Sequence, residues 1–370
     1  MASCKITTIR RSDLQDPESS DAAAYISDLQ SVSSYSWIDA PTPTIAVPGS
    51  PPLWSPPATD VQLPKDSGLY SMAENAVRLP SSPMAPIFRA TFTTNPSFDV
   101  RPIDVISDRH NIRKLLSFID PGSERHKSDP FNLKLEVVRN TLLLCRHEKV
   151  VAKYIGRDVF QGYGHEFERA YTTSQIDGGA GHYRMVSYRF CGLKFLIRHE
   201  TDGFVSPNEG PSDQSKCPTP SSGKRAQPRA NITAQKVTVL HKGKIVPLES
   251  TLEIKTCNKR RSLVFRHIAP QLWVSQTPQL VRAYYVEGRF SQPQVEDVGE
   301  EIQKWERDNQ KNLMILGALI QEIIRVMKGC GGRGMLRYDV ASASLIISSD
   351  KDQSDMLPKD LYSKWDEQKS

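Results

Sequence analysis

Nine consecutive residues, Leu248 to Thr256, constrain the fold of this chain more than any other stretch. Strand side chains alternate with a period of two, so Leu252 and Ile254 point one way and Thr251, Glu253 and Lys255 the other. The run demands a sheet with an apolar face covered, and it sets a carboxylate beside an ammonium on the other face. Metal-dependent phosphodiester hydrolysis uses such a pair: the carboxylate holds a divalent cation and the lysine orients a water or the scissile phosphate. A lone Glu-x-Lys more often marks the solvated face of a half-exposed strand, so its meaning depends on its company.

Composition narrows the field. Ser, Pro, Ala and Thr dominate the first ninety residues, as in Pro48-Gly49-Ser50-Pro51-Pro52. Such a segment is expected to bury too little apolar surface to offset its ordering entropy. Residues 1–86 are therefore expected to be a disordered tail, with one domain over 87–348 and a polar tail over 349–370. The ordered part, about 250 residues, is enough for one sizeable core. A net charge of +6 permits a polyanionic partner without requiring one. The six cysteines form no CxxC pair or Cys/His cluster, which argues against zinc. No signal peptide opens the chain, acids interrupt any presequence, and the longest apolar run, Leu313 to Ile320, is too short for a bilayer. The expected setting is the nucleus or cytoplasm.

Along the chain, Asp108 precedes a helical run to Ile119, and Pro121-Gly122 stops it. Residues 132–138 and 141–146 read as a hairpin across Arg139-Asn140, and 183–190 with 193–200 as another across Cys191-Gly192. Phe160, Tyr163, Phe167 and Tyr171 recur at helical spacing, which predicts a helix over 158–173 or one that begins after Gly164. A flexible insertion is expected over 206–230. Strands follow near 236–240 and 280–286, with a short helix at 271–274 between them. The apolar stripe from Val295 to Lys328 predicts the longest helix, and 335–347 a last strand pair. The pattern is α+β, a mixed central β-sheet flanked by helices.

Carboxylates fall at suggestive places on these elements. Glu168 ends Gly164-His165-Glu166-Phe167-Glu168; Glu200 and Asp202 lie at a strand end in His199-Glu200-Thr201-Asp202-Gly203; Glu253 and Lys255 follow on a later strand. The order helix Glu, strand Glu-x-Asp, strand Glu-x-Lys resembles the PD-(D/E)xK nuclease core. Within that superfamily the chain, over roughly 98–345, is similar to the DXO-like decapping exoribonucleases. Their Gly-x-x-Phe-Glu helix, Gly-Glu-Val-Asp strand end and Glu-Leu-Lys-Thr strand look like 164–168, 199–202 and 253–256. Gln276-Thr277-Pro278 resembles a later family motif, and Arg109 an early motif arginine. His199 stands where the family has Gly, and His165-Glu166 where it has Tyr-Lys.

The resemblance implies roles. Glu168, Glu200, Asp202 and Glu253 would ligate one or two Mg²⁺ or Mn²⁺ ions. Lys255 and Gln276 would act on the attacking water and the scissile phosphate, and Arg109 would hold an RNA phosphate. The implied reaction is hydrolysis at RNA 5′ ends: removal of triphosphates or incomplete or noncanonical caps, or 5′–3′ exoribonuclease action. A 5′–3′ exoribonuclease is an implied protein partner. Two other readings stand beside it: a DNA nuclease on the same core, and an inactive fold-mate that binds a larger nuclease.

Overall fold

The computed structural model describes residues 5–14, 24–124, 129–156, 158–160, 162–206, 236–350 and 354–366. Its main sheet is assembled from β1 (Lys5–Arg10), β2 (Ser27–Ile38), β3 (Thr44–Gly49), β4 (Val105–Asp108), β5 (Asn132–Val138), β6 (Thr141–Arg146), β7 (Gly179–Phe190), β8 (Leu193–Glu200) and β9 (Thr238–Gly243). A second sheet is centred on β10 (Thr251–Asn258) and β11 (Gln279–Val286), and the main sheet is completed by β12 (Arg333–Asp339) and β13 (Ser344–Ser349). The spatial order of the main sheet is β1-β13-β12-β5-β6-β4-β8-β7-β2-β3-β9. Both expected hairpins form, β5 with β6 and β7 with β8, and β4 runs parallel to β6 and β8. The fold is therefore mixed α+β, as the strand and helix patterns require.

Helices cover both faces of the main sheet. On one face, α1 (Ala85–Thr94) packs through Ile87 and Phe88 with Tyr35, Trp37 and Ile45. On the other lie α2 (Arg109–Ile119), and, beyond α3 (Gly164–Tyr171) of the second sheet, α4 (Ala269–Ser275), α5 (Gly299–Asp308) and α6 (Gln310–Gly329). Their apolar stripes, among them Leu115, Trp273, Leu316 and Ile320, meet Leu135, Leu144, Val186 and Ile197 of the sheet. In the second sheet β10 and β11 are parallel, with α4 in the connection between them. A parallel pair needs such a crossover, and it lays α4 near the end of β10 that carries Glu253. No helix among the described residues is long and apolar enough to cross a membrane.

Several expectations need correction. Residues 24–86 are not a disordered tail. β2 lies between β7 and β3, and Tyr35, Trp37 and Ile45 are wholly buried. The serines that made the segment look disordered are buried with partners: Ser34 Oγ donates to the Pro48 carbonyl at 2.7 Å, and Ser36 Oγ meets His182 Nδ1 at 2.9 Å. Small hydroxyls satisfied this way cost little to bury. The C-terminal stretch is no free polar tail either. Met356, Leu357, Leu361 and Trp365 join the core, and Trp365 Nε1 donates to Thr141 Oγ1 at 2.7 Å.

Of the two readings of 158–173, the later start holds: the helix runs from Gly164 to Tyr171. The 295–328 helix needs correction, since it divides into a short strand, Val295–Asp297, then α5 and α6, broken at Asn309. The expected insertion, apart from residue 206, lies outside the described residues.

Candidate active site

Glu253 is the centre of the candidate site. Leu252 and Ile254 pack beneath β10 against Phe167 and Tyr171 of α3. Strand alternation turns Glu253 to the opposite face, where it is buried at 2% exposure. There Lys255 Nζ and Gln271 Nε2 both donate to its Oε1, and Arg109 Nη1 donates to Oε2 at 2.9 Å. Arg109 opens α2, directly after β4, so the sheet delivers its guanidinium to the second sheet's carboxylate. It also reaches Ser275 Oγ of α4 at 3.4 Å. Burial alone would raise the Glu253 carboxyl, but the charges of Lys255 and Arg109 outweigh it and hold the group low, at about 2.

Asp202 stands beside Glu253. It follows β8 and precedes the short strand Gly203–Phe204, which pairs with β10 so that Gly203 faces Leu252. Its Oδ2 accepts the Ile254 N–H at 2.8 Å, tying the segment to β10. Burial, reinforced by the charges of Glu253 and Glu168, pushes the Asp202 carboxyl well above the usual carboxylate range. Glu168, carried on α3, lies near enough for its charge to act on Asp202. Phe167, wholly buried and stacked on Tyr171 at 3.9 Å, seats the helix. Asp66 fixes its start by accepting the N–H groups of His165 and Glu166 at 3.3 and 3.0 Å. Asp66 escaped sequence reasoning because it lay in the presumed tail.

Two expected site residues, Glu200 and Gln276, have neighbours other than Glu253. Glu200 is exposed and faces the other side of β8 from His199. Its neighbour there is Glu74: a Cβ added at Gly181 would sit 2.2 Å from Glu74 Oε2 and 3.3 Å from Glu200 Oε1. Tyr183, whose hydroxyl donates to Glu74 Oε2 at 3.2 Å, is raised by burial and then by these two carboxylates. The spacing argument, that Glu200 and Asp202 share a face, presumed a strand through both, whereas β8 ends at Glu200.

Gln276 caps α4 in a left-handed conformation, with Nε2 donating to the Trp273 carbonyl at 2.6 Å. It lines a small cavity with Trp273, Ile302 and Glu306. The glutamine that touches Glu253 is Gln271, five residues earlier. Only its helix's position over β10 reveals it, and no sequence signal marks it.

His199 lies on the inner side. Burial first, then the charges of Arg109 and Arg184, push its imidazole down to about 3, so it is neutral at any physiological pH.

The arrangement brings together Asp202, Glu253, Lys255 and Arg109, with Glu168 across from Asp202. Among the described residues no three His, Cys, Asp or Glu side chains close around one point. The donor chemistry nonetheless suits a hard cation. Carboxylate oxygens are the ligands such ions prefer, and a divalent ion would offset the burial and the neighbouring acids that raise the Asp202 carboxyl.

Comparisons place the fold. The Scheffersomyces stipitis Rai1 structure, in complex with (3′-NADP)+ and calcium ion, superimposes with a TM-score of 0.61 at 11% identity, covering 95% of this chain and 98% of that one. Candida albicans Rai1 in complex with pU5-Mn²⁺ gives 0.59 at 12% identity over 99% of each chain. K. lactis Dxo1 in complex with manganese gives 0.53 at 12% identity over 95% of this chain and 99% of that one. The chain thus has the fold of the Rai1 and Dxo1 structures. No protein of curated function matches its sequence. One family profile does match, over residues 4–365, and the chain belongs to that family, described as a domain of unknown function, DUF8563.

Proposed function

We propose that this chain is a divalent-metal-dependent hydrolase of RNA 5′ ends, removing triphosphates or incomplete or noncanonical caps or degrading the body from the 5′ end. The observation that carries the reading is the buried Glu253, set against Lys255 and Arg109 with Asp202 at its side. The fold of Rai1 and Dxo1, known in complexes with manganese, calcium or pU5, supports it.

Asp202, Glu253 and Glu168 would hold the Mg²⁺ or Mn²⁺ ion. When bound, the ion supplies Lewis-acid polarisation of the phosphate and a more acidic water. The chain's own groups do the rest. Arg109 keeps Glu253 ionised and aims it; Lys255 adds positive charge where a phosphoryl oxygen would gain negative charge; Gln271 fixes the Glu253 rotamer from α4. Glu200 and Gln276 are given no part in this step. A nuclear or cytoplasmic setting and a partner 5′–3′ exoribonuclease accord with this reading.

A second reading, an inactive fold-mate that serves as a binding partner, draws on one feature: both oxygens of Glu253 are already taken by chain donors. Incubating the purified protein with Mn²⁺ and 5′-triphosphorylated or capped RNA, beside DNA of the same sequence, separates the readings. Release of pyrophosphate or cap from RNA, abolished in Glu253→Ala, supports the hydrolase. Cleavage of DNA alone moves the assignment to a DNA nuclease. No turnover, with equal Mn²⁺ titration heats for both proteins, leaves the binding partner.

A further inference from the structure

A two-stranded ribbon stands apart from both large sheets, formed by Gly68–Ser71 and Ala152–Ile155 in antiparallel register, with Leu69 opposite Tyr154 and Tyr70 opposite Lys153. Its inner side is anchored to the site. The Tyr70 ring stacks on His165 of α3 with centroids 4.0 Å apart, and Asp66, just before the ribbon, caps the same helix. Its outer side is apolar and open. Of thirteen large hydrophobic side chains exposed among the described residues, six fall in 69–72 and 150–160: Leu69, Met72, Val150, Tyr154, Val159 and Phe160. That concentration is not the scatter expected of an ordinary surface. Tyr154 is 71% exposed, so it serves no core.

The charge around these side chains is positive. Residues 149–160 contain Lys149, Lys153 and Arg157 against one acid, Asp158, and Lys65 Nζ lies over the Phe160 ring, 6.0 Å from its centroid. Phe160 is held edge-on by Tyr163, which is itself packed on Tyr285 and Phe290. It is thus a positioned, half-open aromatic face beside a cation. Beyond the ribbon, Leu69, Ala152, Arg146 and Lys149 form one wall of a cavity of about 1860 Å³. Small-molecule pockets are roughly 300–1,000 Å³, so this space suits a chain molecule better than a mononucleotide. The acids of its lining are each paired: Glu148 with Arg146 at 2.6 Å, Asp350 with Lys134 at 3.3 Å, Asp355 with Arg333 at 2.5 Å and Asp360 with Arg89 at 2.6 Å.

Open aromatic faces interleaved with lysines are how proteins hold single strands without reading sequence. We infer that this ridge binds single-stranded RNA downstream of the reacting 5′ end. Bases stack on Tyr154 and Phe160, and Lys65 and Lys149 neutralise the backbone. The inference rests on RNA being the substrate and adds where its body runs. α3 links the two places, because it bears Glu168 at the candidate centre and His165 against the ridge.

The test is the length dependence of binding in EDTA, where turnover plays no part. Oligouridylates of ten and two nucleotides, 5′-phosphorylated and 3′-fluorescein-labelled, are titrated with the full-length protein and followed by anisotropy. The expected result is tighter binding of the ten-mer. Tyr154→Ala/Phe160→Ala should weaken it about tenfold or more, since each stacked base is worth that order, and leave the two-mer unchanged. Lys65→Ala/Lys149→Ala should weaken the ten-mer and flatten its salt dependence. These are surface positions, and unchanged thermal unfolding verifies the fold.

Equal ten-mer affinity in the aromatic variant and the wild type overturns the inference while RNA as substrate survives; an apolar protein segment as the occupant predicts that result. No binding of either oligonucleotide by the wild type counts against RNA as substrate, and the inference falls with it.

Discussion

Glu253 is a buried carboxylate that stays ionised because two cations face it, and this balance makes it testable. Glu253→Ala leaves the half-buried Lys255 and Arg109 without this acceptor and removes a proposed metal donor. Hydrolysis should fall at least about a hundredfold, the usual scale for losing an electrostatic catalytic group, with loss of the Mn²⁺ heat in calorimetry.

The pH dependence of stability follows from the same residue. Its folded pKa, about 2, lies below the ordinary carboxylate value. The unfolded chain therefore binds the proton more readily, and the group's stabilisation is full above about pH 4.5 and vanishes as pH falls through about 2. Urea denaturation of wild type and Glu253→Gln should show a gap at pH 6 that narrows steadily below pH 4.5. A gap that widens on acidification would contradict the assigned charge state. Gln271 supplies a contrast with Gln276: Gln271→Ala should lower turnover several-fold, whereas Gln276→Ala should leave it near wild type, read from initial rates on triphosphorylated RNA.

At the scale of elements, α3 and α4 do the positioning. α3 is only eight residues long, too short to be stable alone. It holds because Phe167 and Tyr171 pack on Leu252, Ile254 and Phe290 and because Asp66 satisfies its first N–H groups. Phe167→Ala should cost about 3–5 kcal/mol, measured by chemical denaturation, and should reduce activity beyond that loss by freeing Glu168. The start of α2 shows a related economy. Asp108 occupies the N-cap position that the sequence suggests, yet its carboxylate holds Arg198 at 2.5 and 2.9 Å instead of capping the helix. A spacing rule finds the residue there, but not the stronger charged partner that takes it.

Over the whole molecule, the segment most easily dismissed is structural. β2 and β3 continue the main sheet beyond β7, and Asp66 and Tyr70 reach from the same region to α3 at the candidate site. Deleting residues 1–86 should therefore abolish cooperative thermal unfolding and not merely trim a tail, as calorimetry of the truncated protein would show.

What the sequence determined by itself is whatever depends on neighbours along the chain: the alternation of β10, with Glu253 and Lys255 two apart on one face, the two hairpins, and the apolar stripe of α6. What only the tertiary structure decided is which groups meet across long separations: Gln271 and not Gln276 at Glu253, Glu200 turned toward Glu74, and serine-rich β2 inside a sheet. The reason is physical. Periodicity and capping are local, whereas burial, charge pairing and hydrogen-bond partners are set by segments that lie far apart in the chain and touch only once it is folded.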